Sequence, residues 1–379
     1  MIPTPRTAPA DSRLFGIADR RETRVIKIAE RRCTSGPIAV ANLSSAIDKL
    51  EPRSSEGPTF EDLEALSNLL FLRGDLLGRI ADHDRAERVA DLAVALSPDT
   101  ARALHMRARL AVRFHRFEEA HELLDRALAA GCSAPKIDTA RAALFQATGK
   151  YDEALRLRED LANADWGIHT LGALATLLAE MQQWPAANHW YAAALHADDG
   201  VSPLRYGQLL FEWGVSAMRR GNLKRAEELF MELDAVLPAH VPGRGHRAEA
   251  ALARGRLDVA GALIAPLLDT SDDPKYRAIH AEILDARRDH EAAEREAEHA
   301  AARYELLLAR RPEVYAENAA VFFMGIGNRP QLAADLATAN WKRRDTPRSR
   351  GLLLRALRNA EQVSRVQAPA DRSWREKVA

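Results

Sequence analysis

Four side chains, Arg102, His105, Arg109 and Arg113, follow one another at spacings of 3, 4 and 4 residues. On a helix they share one face. Planar guanidinium groups in a row suit carboxylate or phosphate, because each fork of N–H donors matches two oxygens at once. Further along, Glu249, Glu282 and Asp285 are acidic at comparable positions, and Phe211, Met218, Tyr315 and Phe322 add apolar contacts. These residues form the candidate binding set. An acidic or phosphorylated segment would dock on the arginines, and the basic-to-acidic gradient would fix the direction of an extended peptide.

No constellation of comparable quality points to catalysis. A Gly-rich phosphate loop, GxSxG and CxxC are all missing. His290-Glu291 followed by Glu294 has the start of a zinc-binding helix, but the second imidazole of HExxH is replaced by Glu294. His290 also falls where packing expects a bulky group. His169, His189 and His196 have no ligand partners at useful spacing, and Cys33 and Cys132 lie too far apart in sequence for a metal or redox motif. Trp184, Trp190, Tyr191 and Trp213 sit on helix faces that need large apolar groups, so they read as core rather than as a platform for bases. Neither a metal nor a cofactor is expected, and the chain reads as a non-enzyme.

The elements that must position these residues repeat along the chain. Around Phe211–Pro238 a first helix carries Leu210, Gly214, Ala217 and Met218, and Gly221-Asn222 breaks it. A second helix carries Leu223, Ala226, Leu229, Phe230 and Leu233 on one apolar face, and Pro238 stops it. The small residue of the first helix recurs as Gly74, Ala108, Ala142, Ala175, Gly214, Ala248 and Ala281, in steps of 34, 34, 33, 39, 34 and 33 residues. Twelve residues later in each unit stands Ala86, Ala120, Ala154, Ala187, Ala226, Ala260 or Ala293. An eighth unit is looser, with Val321 at the small position, Ala333 in phase and Asn340 fitting poorly.

A period near 34 with this set of small and bulky positions resembles the tetratricopeptide repeat (TPR) family, in its bacterial-type multi-repeat form, and TGKYDEAL at 148–155 is close to the family pattern as it stands. The resemblance implies an all-α, right-handed α-solenoid of stacked helix-turn-helix units, whose first helices line a concave groove. It also implies a scaffold or adaptor that binds a peptide or protein there. Chaperone-binding members of the family hold a terminal carboxylate with Lys and Asn; Phe71 and Asp75 occupy the corresponding positions of the first unit, so that clamp is not expected.

The expected organisation is a basic, partly disordered segment at 1–34, a capping helix and loop at 35–61, a solenoid of seven to eight repeats at 62–361, and a frayed tail at 362–379. The 39-residue step predicts a longer loop at HADDGVSP, 196–203. A 40-residue step predicts one long helix in HEAAEREAEHAAARYELLLAR, 290–310. Formal net charge is zero, which argues against a generic polyanion binder, yet residues 1–32 carry eight Lys/Arg against four Asp/Glu and residues 341–379 carry eleven against four. The alternative reading is therefore a nucleic-acid-linked regulator that uses its basic termini. No window reaches the roughly 20 apolar residues of a membrane span and no signal peptide is evident, so a cytoplasmic location is expected.

Overall fold

The structure, a computed structural model, describes residues 34–54, 57–198 and 202–367. Residues 1–33 of the basic segment at the start and residues 368–379 of the tail fall outside them. Among the described residues all regular structure is helical. Helix α1 is Gly36–Arg53, followed by α2 (Phe60–Leu77), α3 (Ile80–Leu96), α4 (Ala101–Arg113), α5 (Phe117–Ala129), α6 (Ala134–Thr148) and α7 (Tyr151–Ala164). Next come α8 (Ile168–Glu180), α9 (Trp184–Ala197), α10 (Pro203–Arg219), α11 (Leu223–Val236), α12 (Val241–Ala253), α13 (Leu257–Ile264) and α14 (Leu267–Thr270). The chain continues with α15 (Pro274–Ala286), α16 (His290–Arg310), α17 (Pro312–Met324), α18 (Pro330–Arg343) and α19 (Pro347–Gln367).

Helices pair in order from α2/α3 to α17/α18, and α19 packs against α18 as a final single helix. Pro266 interrupts the second helix of the sixth pair, because proline has no N–H and blocks the preceding turn, so α13 and α14 are separate pieces. The long helix expected at 290–310 is present as α16. Each pair turns on one left-handed residue two positions before the second helix. Glycine fills it at Gly78, Gly149, Gly221 and Gly255, whereas His115, Gln182, Arg288 and Asn328 adopt the same conformation, all with φ between 46° and 82°. A non-glycine residue there pays a steric cost for its Cβ.

The repeated small residues are where the helices of a pair cross. A Cβ on Gly214 would lie 2.5 Å from Cε1 of Phe230 on the partner helix. The alanines from Ala86 to Ala260 in the second helices have no exposed surface. In the eighth pair the register differs from expectation by one residue: Ala320 is buried and fills the small position, while Val321 is 47% exposed. Trp190, Tyr191 and Trp213 are buried, with Tyr191 and Trp213 stacked 5.6 Å apart, as expected of core aromatics.

The superhelix closes on itself, which neighbour stacking alone does not require. Residues roughly 190–230 apart in sequence meet where one turn rests on the next. The Asp272 carboxylate accepts from the Ile80 and Ala81 backbone N–H groups at 2.6 and 3.1 Å, capping α3 from the following turn, and also pairs with Arg303 at 3.0 Å. Ser271 Oγ donates to the Gly78 carbonyl. Arg311 reaches Asp84 and Glu87, and the His115 Nδ1–H donates to the Glu313 carbonyl at 2.8 Å. Arg344 donates to the Ala147 carbonyl at 3.2 Å. Gly149 touches the Asp345 carbonyl so closely that a Cβ would lie 2.0 Å from it. Helix α1 joins the same seam, packing on α2 and on α10, with Gly36 against the Val236 carbonyl.

Candidate partner-binding site

Closure brings the first helices of distant units to face one another across a narrow interior. Asp75 on α2 lies within electrostatic range of Glu212 on α10 and of His240 before α12. The interior is polar, and most of its charges are already engaged. Arg102 reaches Glu61 and Glu64 of the preceding unit and lies 5.0 Å over the Phe60 ring. Arg113 pairs with Asp75, contacts His83 at 3.0 Å and covers the Phe71 ring at 4.6 Å. Arg109 is exposed, and burial together with the Arg109 charge holds the neighbouring His105 below the usual imidazole range.

Two of the three acidic members of the set, Glu249 and Asp285, are engaged as well. Glu249 accepts from His246 and lies 3.2 Å from Lys275, which together hold its carboxyl down to about 2 against the opposing cost of burial. Asp285 pairs with His290 at 2.8 Å. That contact corrects the packing role expected of His290, whose side chain is 71% exposed. Glu282 is exposed on α15, and partial desolvation together with the Glu249 charge pushes its carboxyl up.

The apolar members divide. Phe211 is half-buried, 4.9 Å from the His240 ring and 5.6 Å from that of His246, and Met218 packs partly against the core. Tyr315 is half-buried beside Arg311 and Asp84. Phe322 is buried at 4% exposure against Tyr304 and Phe323, so it is a core residue and offers no surface to a partner. The shift of one residue in the eighth pair accounts for this.

A cavity of about 280 Å³ opens where α6, α7, α8 and α10 meet. Its walls carry Arg158, His169, Thr176, Arg205, Gln208 and Glu212. Gln208 donates to Glu212 at 2.8 Å, and Thr176 donates to the Gly172 carbonyl at 3.0 Å. Burial pushes the Glu212 carboxyl up. The Nε–H of Arg158 is shut off from solvent without an acceptor. Among the described residues, no group of three or more His, Cys, Asp or Glu is placed to hold a metal ion, and no helix is long and apolar enough to cross a membrane.

No protein-family model matches the sequence, and no curated protein is significantly similar to it. Solved structures do match. One is the APC/C hetero-tetramer Cut9–Hcn1, 16% identical with a TM-score of 0.51 over 83% of this chain and 59% of that one. A tetratricopeptide repeat protein from Parabacteroides merdae is 20% identical over 64% of this chain and 91% of its own, with a TM-score of 0.43. Human IFIT1, in a dimer with m7Gppp-AAAA, is 14% identical over 86% of this chain and 82% of its own, with a TM-score of 0.44. The fold is a tetratricopeptide-repeat solenoid.

In this TPR solenoid the cavity residues Arg158 and Arg205 are absent from the arginine stripe that the sequence singles out. Arg158 lies on a second helix, where the repeat pattern expects an outer face. Arg205 lies in the first turns of α10, directly after the lengthened 39-residue step. That step is the signal in the sequence that could have drawn attention to the region.

Proposed function

We propose that this TPR protein is a non-enzymatic interaction scaffold that takes a peptide or protein segment against the first helices of its superhelix. The observation that carries the reading is the polar cavity where helices of three successive units converge, with the Arg158 Nε–H left without an acceptor among the described residues. A built concave site with few convergent polar groups is what recognition of a segment needs. The Cut9–Hcn1 assembly, in which a chain of this fold is held with a second protein, is consistent with the reading. An acidic or phosphorylated segment remains the favoured occupant. Its anchor on the original stripe narrows to Arg109 with His105, since Arg102 and Arg113 already hold carboxylates.

The test is affinity capture with the full chain as bait, quantified by mass spectrometry against a fold-matched TPR control. The expected result is a protein enriched by the parent and depleted with Arg109→Glu, a change at an exposed position. Enrichment of nothing beyond the control would refute the scaffold reading. Equal enrichment by parent and variant would remove Arg109 from the docking face.

A further inference from the structure

Arg158 is the unusual group of the molecule. Nearly every other interior guanidinium meets a carboxylate: Arg113 meets Asp75, Arg311 meets Asp84 and Glu87, and Arg344 meets Glu317 at 3.0 Å. Among the described residues Arg158 makes no ion pair. Its Nε–H points into the protein with no acceptor, and Glu180 acts on it only at range. Arg158 is half-buried, and a partly desolvated charge without a partner is costly because the water it loses is not replaced. Such a group persists in a fold when something else completes it. Burial pushes the Arg158 guanidinium down to about 10, the direction expected of a cation that lacks its counter-charge.

The surroundings define the missing partner. Arg205 stands on the same wall, exposed and likewise without an ion pair among the described residues, close enough to His169 to hold that imidazole down together with burial. The side chains of Arg158, Arg205 and Gln208 line one space of about 280 Å³. The nearest acid on the wall, Glu212, is committed to Gln208 rather than to either arginine. Flat donors converging on a small space select a compact oxyanion over a bulky or apolar group.

We propose that the cavity between α6, α7, α8 and α10 is an oxyanion site, in which Arg158 and Arg205 hold one phosphate or carboxylate group. The group arrives either as a free small anion or on the side chain of a bound polypeptide, and the site does not depend on the scaffold reading, since a free anion completes it equally well.

The experiment titrates the full chain calorimetrically at low ionic strength with inorganic phosphate, with succinate, and with a pentapeptide carrying one phosphoserine. Sodium chloride at matched ionic strength is the control. Phosphate is expected to bind saturably and to raise the melting temperature beyond the chloride control. Arg158→Gln and Arg205→Gln should each weaken that binding by about tenfold, as expected for loss of one charge-assisted pair. Arg109→Gln, outside the cavity, should leave it unchanged. Because Arg205 is exposed, Arg205→Gln reports on the site even if Arg158→Gln folds poorly. A phosphoserine peptide that binds at least tenfold tighter than phosphate, and is displaced by it, assigns the oxyanion to a polypeptide. Equal affinities assign it to a free anion. Chloride reproducing the phosphate effect, or Arg205→Gln binding phosphate as the parent does, would overturn the proposal.

Discussion

Gly149 and Gly221 occupy the same turn position in two units, both with φ of 82°. They differ only in what lies above them. A Cβ on Gly221 would meet nothing within 4 Å among the described residues beyond its chain neighbours, whereas a Cβ on Gly149 would sit 2.0 Å from the Asp345 carbonyl of the next superhelical turn. Alanine at either position pays the left-handed cost of about 1–2 kcal/mol, partly offset by a stiffer unfolded chain at about 0.4–1 kcal/mol. Gly221→Ala should therefore destabilise by about 1 kcal/mol. Gly149→Ala must in addition push the next turn back by about 1 Å to reach any real contact distance, straining the Arg344 bond to Ala147. Overpacking of that kind adds about 1–3 kcal/mol. The difference between the two variants isolates the seam, because the backbone term is common to both. Urea denaturation followed by far-UV circular dichroism measures it, and small-angle scattering should show a wider superhelix for Gly149→Ala alone. Equal destabilisation with equal radii would show that the turns do not rest on each other at this point.

Asp272→Ala removes the acceptor for two backbone N–H groups and the partner of Arg303; a loss of about 2 kcal/mol is expected, with a larger radius by scattering. Burial holds His240 at about 4, so between pH 6.5 and about 4 the unfolded chain binds a proton there that the folded chain refuses, and stability falls as pH falls through that window. His240→Asn keeps an acceptor for the Gly243 N–H and should show a smaller drop in urea midpoint between pH 7 and pH 5. Glu249, held down to about 2 from 4.5, acts in a lower window: its contribution is complete above pH 4.5 and is lost towards pH 2, so Glu249→Gln should flatten that part of the profile. Arg288→Gly relieves a left-handed arginine and should raise stability by about 0.5–1 kcal/mol in urea titrations.

The helical pairs were legible because each crossing needs a small residue on both helices, and that requirement repeats in the sequence. Gly214 facing Phe230, with Ala226 lacking any exposed surface, is the requirement met in full. The phase slipped in the eighth pair, where Ala320 rather than Val321 fills the crossing and Phe322 is carried inward with it, and in the first, where the turn at Gly78 comes closer to Gly74 than the turn at Gly221 does to Gly214. A run of two alanines before the valine leaves the choice of register to tertiary packing. The seam left no such trace. Its contacts join residues nearly 200 positions apart, as Ile80 to Asp272 and Ala147 to Arg344, and they follow from small rotations accumulated over several units.

The arginine stripe shows why helix-face reasoning finds a surface more readily than a site. Spacing correctly grouped Arg102, Arg109 and Arg113 on α4, but a face says nothing of what the neighbouring unit presents to it. The partners Glu61, Glu64 and Asp75 lie 38–41 positions earlier, one repeat back, and they neutralise two of the three arginines. Arg113→Glu would set a second carboxylate against Asp75 and remove the cation from the Phe71 ring, so it tests stability before it tests binding. Free binding capacity in a repeat protein is what remains after neighbouring units have satisfied one another. On that criterion the charges left over among the described residues include Arg109 on α4 and, beside the cavity, Arg158 and Arg205.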